Sequence, residues 1–336
     1  MTTPLRCIKV GVNGRGAGLI TLLAKHPEKF QVAAFVDATP AIAKAEAEKR
    51  GLSAMPCFGS LPEALKQVPA DACIITSPAK FHGEQIRASL DAGLHVFCAK
   101  PMTYDLSEAE QLVALAEKKQ RCLVVDQQQQ YLLTERTLAE WVRTEKYGKV
   151  GFMEMRVHRY RPKMRAFTGD NPFIWEQGVH SFNSLLAILG RPALSVYAQQ
   201  TKPHWSVYHG PTVSLGMIEF AGGIPCHYLG TFDSRTLTLE LRIDFERAAA
   251  RCFAENSWTK RLEVALPGED FKPAGVTDAD DPTPAEWFNF EAFYRGCTQG
   301  GRATNDGRDN LRTLAVVDAF IRSSQSGQRE TVRQFE

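Results

Sequence analysis

Apolar positions in the first part of the chain fall into short, nearly continuous runs at residues 6–12, 31–36, 72–76, 94–98 and 121–125. Longer stretches with helical spacing lie between them, among them Leu19 to His26, Ala41–Arg50, Phe81–Ala92 and Ser107–Lys119. Runs of that length bounded by Gly and Pro read as strands buried on both faces, and their alternation with helices predicts a doubly wound parallel sheet. The pattern then changes. Residues 149–161 alternate strictly, with Met153, Met155, Val157, Arg159 and Arg161 on one face and Phe152, Glu154, Arg156, His158 and Tyr160 on the other. A helix from about Gln177 to Leu189 offers cover for the first of these faces. Its apolar stripe is Val179, Phe182, Leu185, Leu186 and Leu189, while Glu176, His180 and Asn183 fall on another side. Packed there, it brings Arg159 and Arg161 toward His180. Runs at 212–220, 225–231, 237–245 and 262–266 predict antiparallel strands. Two late helical patterns, 284–298 and 309–324, are expected to pack back on the first domain. The expected architecture is α/β, with a first domain over 1–125 and a second over 126–336.

Length agrees with two domains, since 336 residues exceed the usual size of one. With 44% hydrophobic and 23% charged residues the composition is that of a globular protein, and a net charge of +2 leaves no footprint for nucleic acid or a membrane surface. Eight cysteines, none in Cys-x-x-Cys spacing, read as reduced buried thiols, so a cytoplasmic protein is expected. No charged-then-apolar leader opens the sequence, and no apolar run approaches the roughly 18 residues of a membrane span.

Candidate chemistry begins at the turn Asn13-Gly14-Arg15-Gly16-Ala17-Gly18, between the first strand and the first helix. A dinucleotide pyrophosphate rests on backbone N–H groups at such a helix start, and side chains there block its approach. Gly14 and Gly16 supply two glycines of G-x-G-x-x-G, Leu19 holds the third place, and Gly18 is the candidate for close helix packing instead. The plain alternative is a tight turn. Asp37 ends the second strand 21 residues after Gly16, the spacing of an acid that accepts hydrogen bonds from the adenosine ribose, which favours NAD. Arg15 keeps NADP open by offering a cation to a 2′-phosphate. Lys100-Pro101 follows the run 94–99, which puts an amine at the carboxyl end of a strand where ligands of open α/β sheets collect. Glu176 and His180, four apart, share a helix face, and the three side chains together point to proton transfer. Glu-x-x-x-His lacks zinc-protease spacing and has no evident third ligand, so no metal is expected. From Arg156 to Arg165 five fixed cations and no acid read either as a solvated sheet edge or as a site for a carboxylate, sulfonate or phosphate. Trp175 is either a platform for a sugar ring or a core residue.

Thr76-Ser77-Pro78, Phe81-His82, Ala92-Gly93-Leu94-His95-Val96 and Lys100-Pro101, followed by Glu176-Gln177-Gly178-Val179-His180, resemble the glucose–fructose oxidoreductase / inositol dehydrogenase / MocA (Gfo/Idh/MocA) family in order and spacing over nearly the whole chain. The resemblance implies a Rossmann domain followed by an α/β domain with a large, mainly antiparallel open sheet. It implies that Ser77, Pro78 and His82 line the cofactor cleft, and that Lys100 and His180 flank the nicotinamide and the reacting hydroxyl. Asn13, Pro101 and Gln127, the first of four glutamines, join the cofactor candidates, and the residues themselves, rather than the resemblance, put Arg159, Arg161, Trp175 and Asn183 among the substrate candidates. The Lys-Pro peptide is often cis in the family. Ala99, Glu176, Asn183 and Leu19 depart from its usual Glu, Asp, Asp and Gly.

The expected reaction is NAD-dependent hydride transfer from a secondary alcohol of a sugar, sugar acid or cyclitol, with His180 or Lys100 accepting the hydroxyl proton and Glu176 orienting His180 or binding a substrate hydroxyl. Two alternatives remain at this point: a redox-assisted glycosidase that returns its hydride, and a non-catalytic NAD-binding regulator. A large sheet with helices for one face only leaves the other face for a homodimer or homotetramer contact.

Overall fold

The computed structural model describes residues 3–164 and 170–335. Arg165, the last cation of the basic stretch, lies outside the described residues. The chain divides into two compact units, residues 1–127 with 286–310, and residues 128–285 with 311–336.

In the first unit the strands β1 (Leu5–Val10), β2 (Phe30–Val36), β3 (Cys57–Phe58), β4 (Ala72–Ile75), β5 (His95–Ala99) and β6 (Leu123–Asp126) form a parallel sheet in the order β3-β2-β1-β4-β5-β6. Helices α1 (Arg15–Ala24), α2 (Pro40–Lys49), α3 (Leu61–Gln67), α4 (His82–Asp91) and α5 (Leu106–Lys118) connect them. The order reverses between β1 and β4, so the crevice for a ligand opens beyond the carboxyl ends of those two strands. Lone apolar runs became strands here because nearly every side chain in them is buried: Ile8, Cys73, Ile74, Ile75, Val96, Phe97 and Cys98 have no exposed surface. β3 and α3, with two and seven residues, are too short to show a period in the sequence. Helix α1 starts at Arg15 rather than near Leu19, because Gly16 and Gly18 inside its first turns hide the helical pattern.

The second unit holds α6 (Leu133–Arg143), β7 (Val150–Tyr160), α7 (Val179–Leu189), β8 (Ala193–Thr201), β9 (Val213–Phe220), β10 (Ile224–Thr231), β11 (Asp233–Phe245), β12 (Ala249–Glu255), β13 (Arg261–Ala265) and β14 (Lys272–Thr277). Helix α8 (Ala285–Gln299) belongs almost wholly to the first unit, where Phe290 stacks on Phe97 with ring centroids 4.1 Å apart. Helix α9 (Gly307–Ser326) begins there and continues in the second unit, which β15 (Glu330–Thr331) completes. The nine-stranded sheet runs β14-β13-β12-β11-β7-β10-β9-β8-β15 and is antiparallel except for the β7–β10 pair. Four of its strands, β8, β12, β14 and β15, lack a strand signature in the sequence: β12 opens on alanines, and β14 carries Pro273 and Gly275, tolerated at an edge.

The faces of β7 fall as the alternation predicts, with Met153, Met155 and Val157 buried and Phe152 47% exposed. α7 and α9 cover the buried face, with Phe182 5.0 Å from the Tyr228 ring of β10 and 5.5 Å from Phe320 of α9. α7 itself is buried nearly all round, every residue from Val179 to Leu185 included, so its polar side chains are interior groups rather than a solvated face. Among the described residues no helix is long and apolar enough to cross a membrane, and no group of three or more His, Cys, Asp or Glu is placed to hold a metal ion.

Candidate active site

The first unit builds a cradle at the carboxyl ends of β1 and β4. Gly14 caps α1 with φ +53° and no side-chain hydrogen bond, which leaves the first amide groups of the helix without an intrahelical acceptor. Gly11 has φ +73°, and a Cβ there would lie 2.7 Å from Ser77 N. A Cβ on Gly16 would collide with Gly11 O and lie 2.8 Å from Thr76 Oγ1. Gly16 therefore does the close packing that the sequence suggested for Gly18, where a Cβ meets nothing within 4 Å. Leu19, in the third-glycine place, is simply a core residue, 2% exposed. Asn13 O accepts from Gly16 N at 2.9 Å and closes the turn.

Asp37, half-buried beyond the end of β2, accepts from Val12 N at 3.4 Å and Thr39 N at 3.1 Å. Arg15 is held by two acids of the same unit, Asp126 Oδ2 at 2.5 Å and Glu286 Oε1 at 3.0 Å. Burial raises the Asp126 carboxyl above its ordinary value while Arg15 and Asn289 pull it back down, the latter donating at 3.1 Å.

His82 is 1% exposed and sits between two carbonyls, Nδ1 2.8 Å from Pro101 O and Nε2 2.8 Å from Ser77 O. It clips the turn after β4 to the turn after β5. Burial lowers its pKa despite both carbonyl contacts, so at neutral pH one nitrogen donates and the other does not. Ser77 Oγ donates to Gln85 Oε1 at 2.5 Å, and Pro78 caps the short helical turn Ala79–Phe81. Lys100, half-buried, follows directly on β5, and its peptide bond to Pro101 is cis. Gln127 is buried, its carbonyl accepting from Asn305 Nδ2 at 3.1 Å.

In the second unit a π-helical turn, Ile174–Gly178, runs straight into α7. Such turns recur at functional sites because the extra residue redirects side chains. Glu176 pairs with Arg161, and Gln177 Oε1 accepts from Arg159, so both arginines at the end of β7 grip the turn that precedes His180. The Arg161 guanidinium lies 4.1 Å over the Phe232 ring and that of Arg159 lies 4.3 Å over Trp258. Arg156 faces the other way and pairs with Glu240 at 2.6 Å and Glu154 at 3.3 Å. The basic stretch is thus split between two faces of the sheet. His180 is 6% exposed. Asn183 is 5% exposed; its Nδ2 donates to Thr313 Oγ1 at 3.4 Å, and its Oδ1 meets no donor among the described residues. Trp175 is 6% exposed, whereas Trp258, at the tip of the β12–β13 hairpin, is 55% exposed.

Residues 5–127 match the model of an oxidoreductase family with an NAD-binding Rossmann fold, Gfo/Idh/MocA. Inositol 2-dehydrogenase 1 of Paenarthrobacter aurescens is 27% identical over 214 residues, 62% of this chain and 61% of that enzyme, so the match spans about three-fifths of its length. D-xylose 1-dehydrogenase (NADP(+)) 2 of Haloferax volcanii is 24% identical over 93% of this chain and 95% of its own. The WlbA dehydrogenase of Bordetella pertussis, solved with NADH and UDP-GlcNAcA, superposes with a TM-score of 0.84 over 98% of this chain and 99% of its own at 20% identity, which shows a shared fold.

Two side chains near these turns carry no signal in the sequence: Trp258 sits in a loop with no motif of its own, and Lys9 reads as one more residue of a buried strand.

Proposed function

We propose that this chain is an NAD-dependent dehydrogenase interconverting a secondary alcohol and a ketone on a sugar, sugar acid or cyclitol, with the first unit holding the dinucleotide and the second the substrate. One observation carries the reading. The N-terminus of α1, Asp37 and Lys100 all stand at the carboxyl ends of one parallel sheet, where Gly14 leaves open space at the helix cap and Gly11 and Gly16 let the turn pack closely beneath it. The nicotinamide, when bound, supplies the hydride acceptor.

The chain's own residues bind, orient and move the proton. Gly14 admits the pyrophosphate to backbone amides, Gly16 holds the turn in place, and Asp37 hydrogen-bonds the ribose. Arg15, occupied by Asp126 and Glu286, favours NAD over NADP. Ser77, Pro78, Pro101 and Gln127 shape the cleft, and His82 fixes two of its turns. Lys100 or His180 accepts the hydroxyl proton. Glu176, paired with Arg161, is a positioning residue for the turn that carries His180. Asn183 offers its unmatched Oδ1 to a substrate hydroxyl, and Trp258 on Arg159 offers an aromatic platform to a sugar ring. The polyol and sugar substrates named for the inositol and xylose dehydrogenases support this substrate class. Eight unpaired thiols support a reducing, cytoplasmic setting. The sheet face opposite α7 is assigned to self-association as a homodimer or homotetramer.

A thermal-shift panel of NAD and NADP, each with neutral sugars, uronic acids, sugar phosphates and cyclitols, identifies ligands, and nicotinamide absorbance then measures turnover. Lys100→Ala and His180→Ala should each remain folded and lose at least about 10²-fold in turnover. Near-normal turnover in both variants on a true substrate would overturn the assignment. Aglycone release without net absorbance change would point to the redox-assisted glycosidase. NAD binding with neither activity would point to a regulator.

A further inference from the structure

We propose that Lys9 is a positioning residue for the dinucleotide: its buried amine ties together the two loops that shape the cradle, and cofactor binding draws a proton onto it. The proposal rests on dinucleotide binding by the first unit and is independent of the substrate. Lys9 has no exposed surface. Its Nζ donates to Val10 O at 3.0 Å, to Gly11 O at 2.6 Å and to Thr76 Oγ1. The Thr76 hydroxyl in turn donates to Gly11 O at 2.7 Å. Gly11, whose missing Cβ would lie 2.7 Å from Ser77 N, is where the turns after β1 and β4 touch, and Gly16 of α1 packs on the same two oxygens, Gly11 O and Thr76 Oγ1. A single amine therefore fastens the base of the α1 N-terminus to the loop that carries Ser77.

Three acceptors match the three N–H groups of an ammonium, whereas a neutral amine has only two. Burial opposes the charge and lowers the Lys9 pKa to about 7, against the charge-favouring influence of Cys73, Asp37 and Cys98. Burial pushes the Cys73 thiol up to about 12 and the Cys98 thiol well above its ordinary value, so both thiols are neutral. Lys9 thus stands near its midpoint at neutral pH. An anion on the α1 amides favours the ammonium, which raises the Lys9 pKa in the complex. A group whose pKa rises on binding takes up a proton in the window between its free and bound values. His82, the neighbouring buried base, has its pKa lowered from 6.5 and is neutral throughout that window.

Calorimetric titration of NAD into the intact protein, in two buffers of different ionisation enthalpy, counts the protons taken up. The wild-type protein should take up a fraction of a proton at about pH 8 and none at about pH 5.5, where Lys9 is already charged in the free protein. Lys9→Met should abolish the uptake and raise the NAD Kd by roughly tenfold. No uptake by the wild-type protein, a measurement that needs no variant, would overturn the proposal, as would undiminished uptake by Lys9→Met. Failure to bind NAD at all would instead remove the dinucleotide reading and this proposal with it.

Discussion

Lys260 and Glu135 form an ion pair in the second unit, the side chains 10% and 2% exposed, and Glu135 Oε2 has no further partner among the described residues. The carboxylate pushes the Lys260 pKa up against the opposing cost of burial. Removing one member leaves the other charged in a low-dielectric interior, so Lys260→Met should cost about 3–5 kcal/mol, whereas the double change with Glu135→Leu should recover most of that. Urea unfolding of the two variants measures the difference. The pair anchors the hairpin that holds Trp258 over Arg159, and none of this was legible in the sequence. Lys260 looks like an ordinary loop lysine and Glu135 like an ordinary helix acid, because their burial comes from elements 125 residues apart. The place of Asp37 just beyond the end of β2, in contrast, was legible, since it depends only on a strand end.

At the scale of elements, the β1–turn–α1 unit is the best determined by local sequence. Its turn needs Gly11 and Gly14 at positive φ and Gly16 in contact with Gly11 O and Thr76, so Gly16→Ala should weaken NAD binding by at least about tenfold through a displaced turn. Gly18→Ala, with nothing near its Cβ, should leave NAD affinity unchanged and add helix propensity of about 1 kcal/mol. Equilibrium dialysis with NAD and thermal melting distinguish the two; equal losses would mean that the turn is not held by this contact. The segment before α7 shows the opposite case. Its residues predict one helix carrying Glu176 and His180, but the π turn Ile174–Gly178 and its grip by Arg159 and Arg161 depend on a strand end and cannot be read from periodicity. The helix–polar contrast in α7 also misled, since both of its sides meet protein.

For the whole molecule, the register of the nine-stranded sheet lines up Tyr197, Met217, His227, Glu154, Arg242, Arg251 and Glu263 in one row across the face opposite α7. Tyr197 and Met217 are 57% and 56% exposed, and the far half of the row is charged, two arginines flanked by two acids, with Arg251 2.6 Å from Glu263. A face with an apolar half and a charged half suits a second copy that offers the same patch. Met217→Lys with Tyr197→Glu should shift the protein to monomer in size-exclusion chromatography with light scattering; an unchanged mass would place any oligomer contact elsewhere. By itself the sequence determined the alternation of strands and helices in the first 125 residues, the faces of β7, the glycine turn and the Lys-Pro and Glu-x-x-x-His motifs. Each depends on spacing within one element or on residues adjacent along the chain. Only the tertiary structure decided which charges are paired, why Gly16 rather than Gly18 must lack a side chain, how the weakly patterned strands join the second sheet, and that Lys9 lies beneath the cradle. Those outcomes are set by atoms brought together from distant parts of the chain, where burial and hydrogen-bond partners, not local pattern, fix the energy.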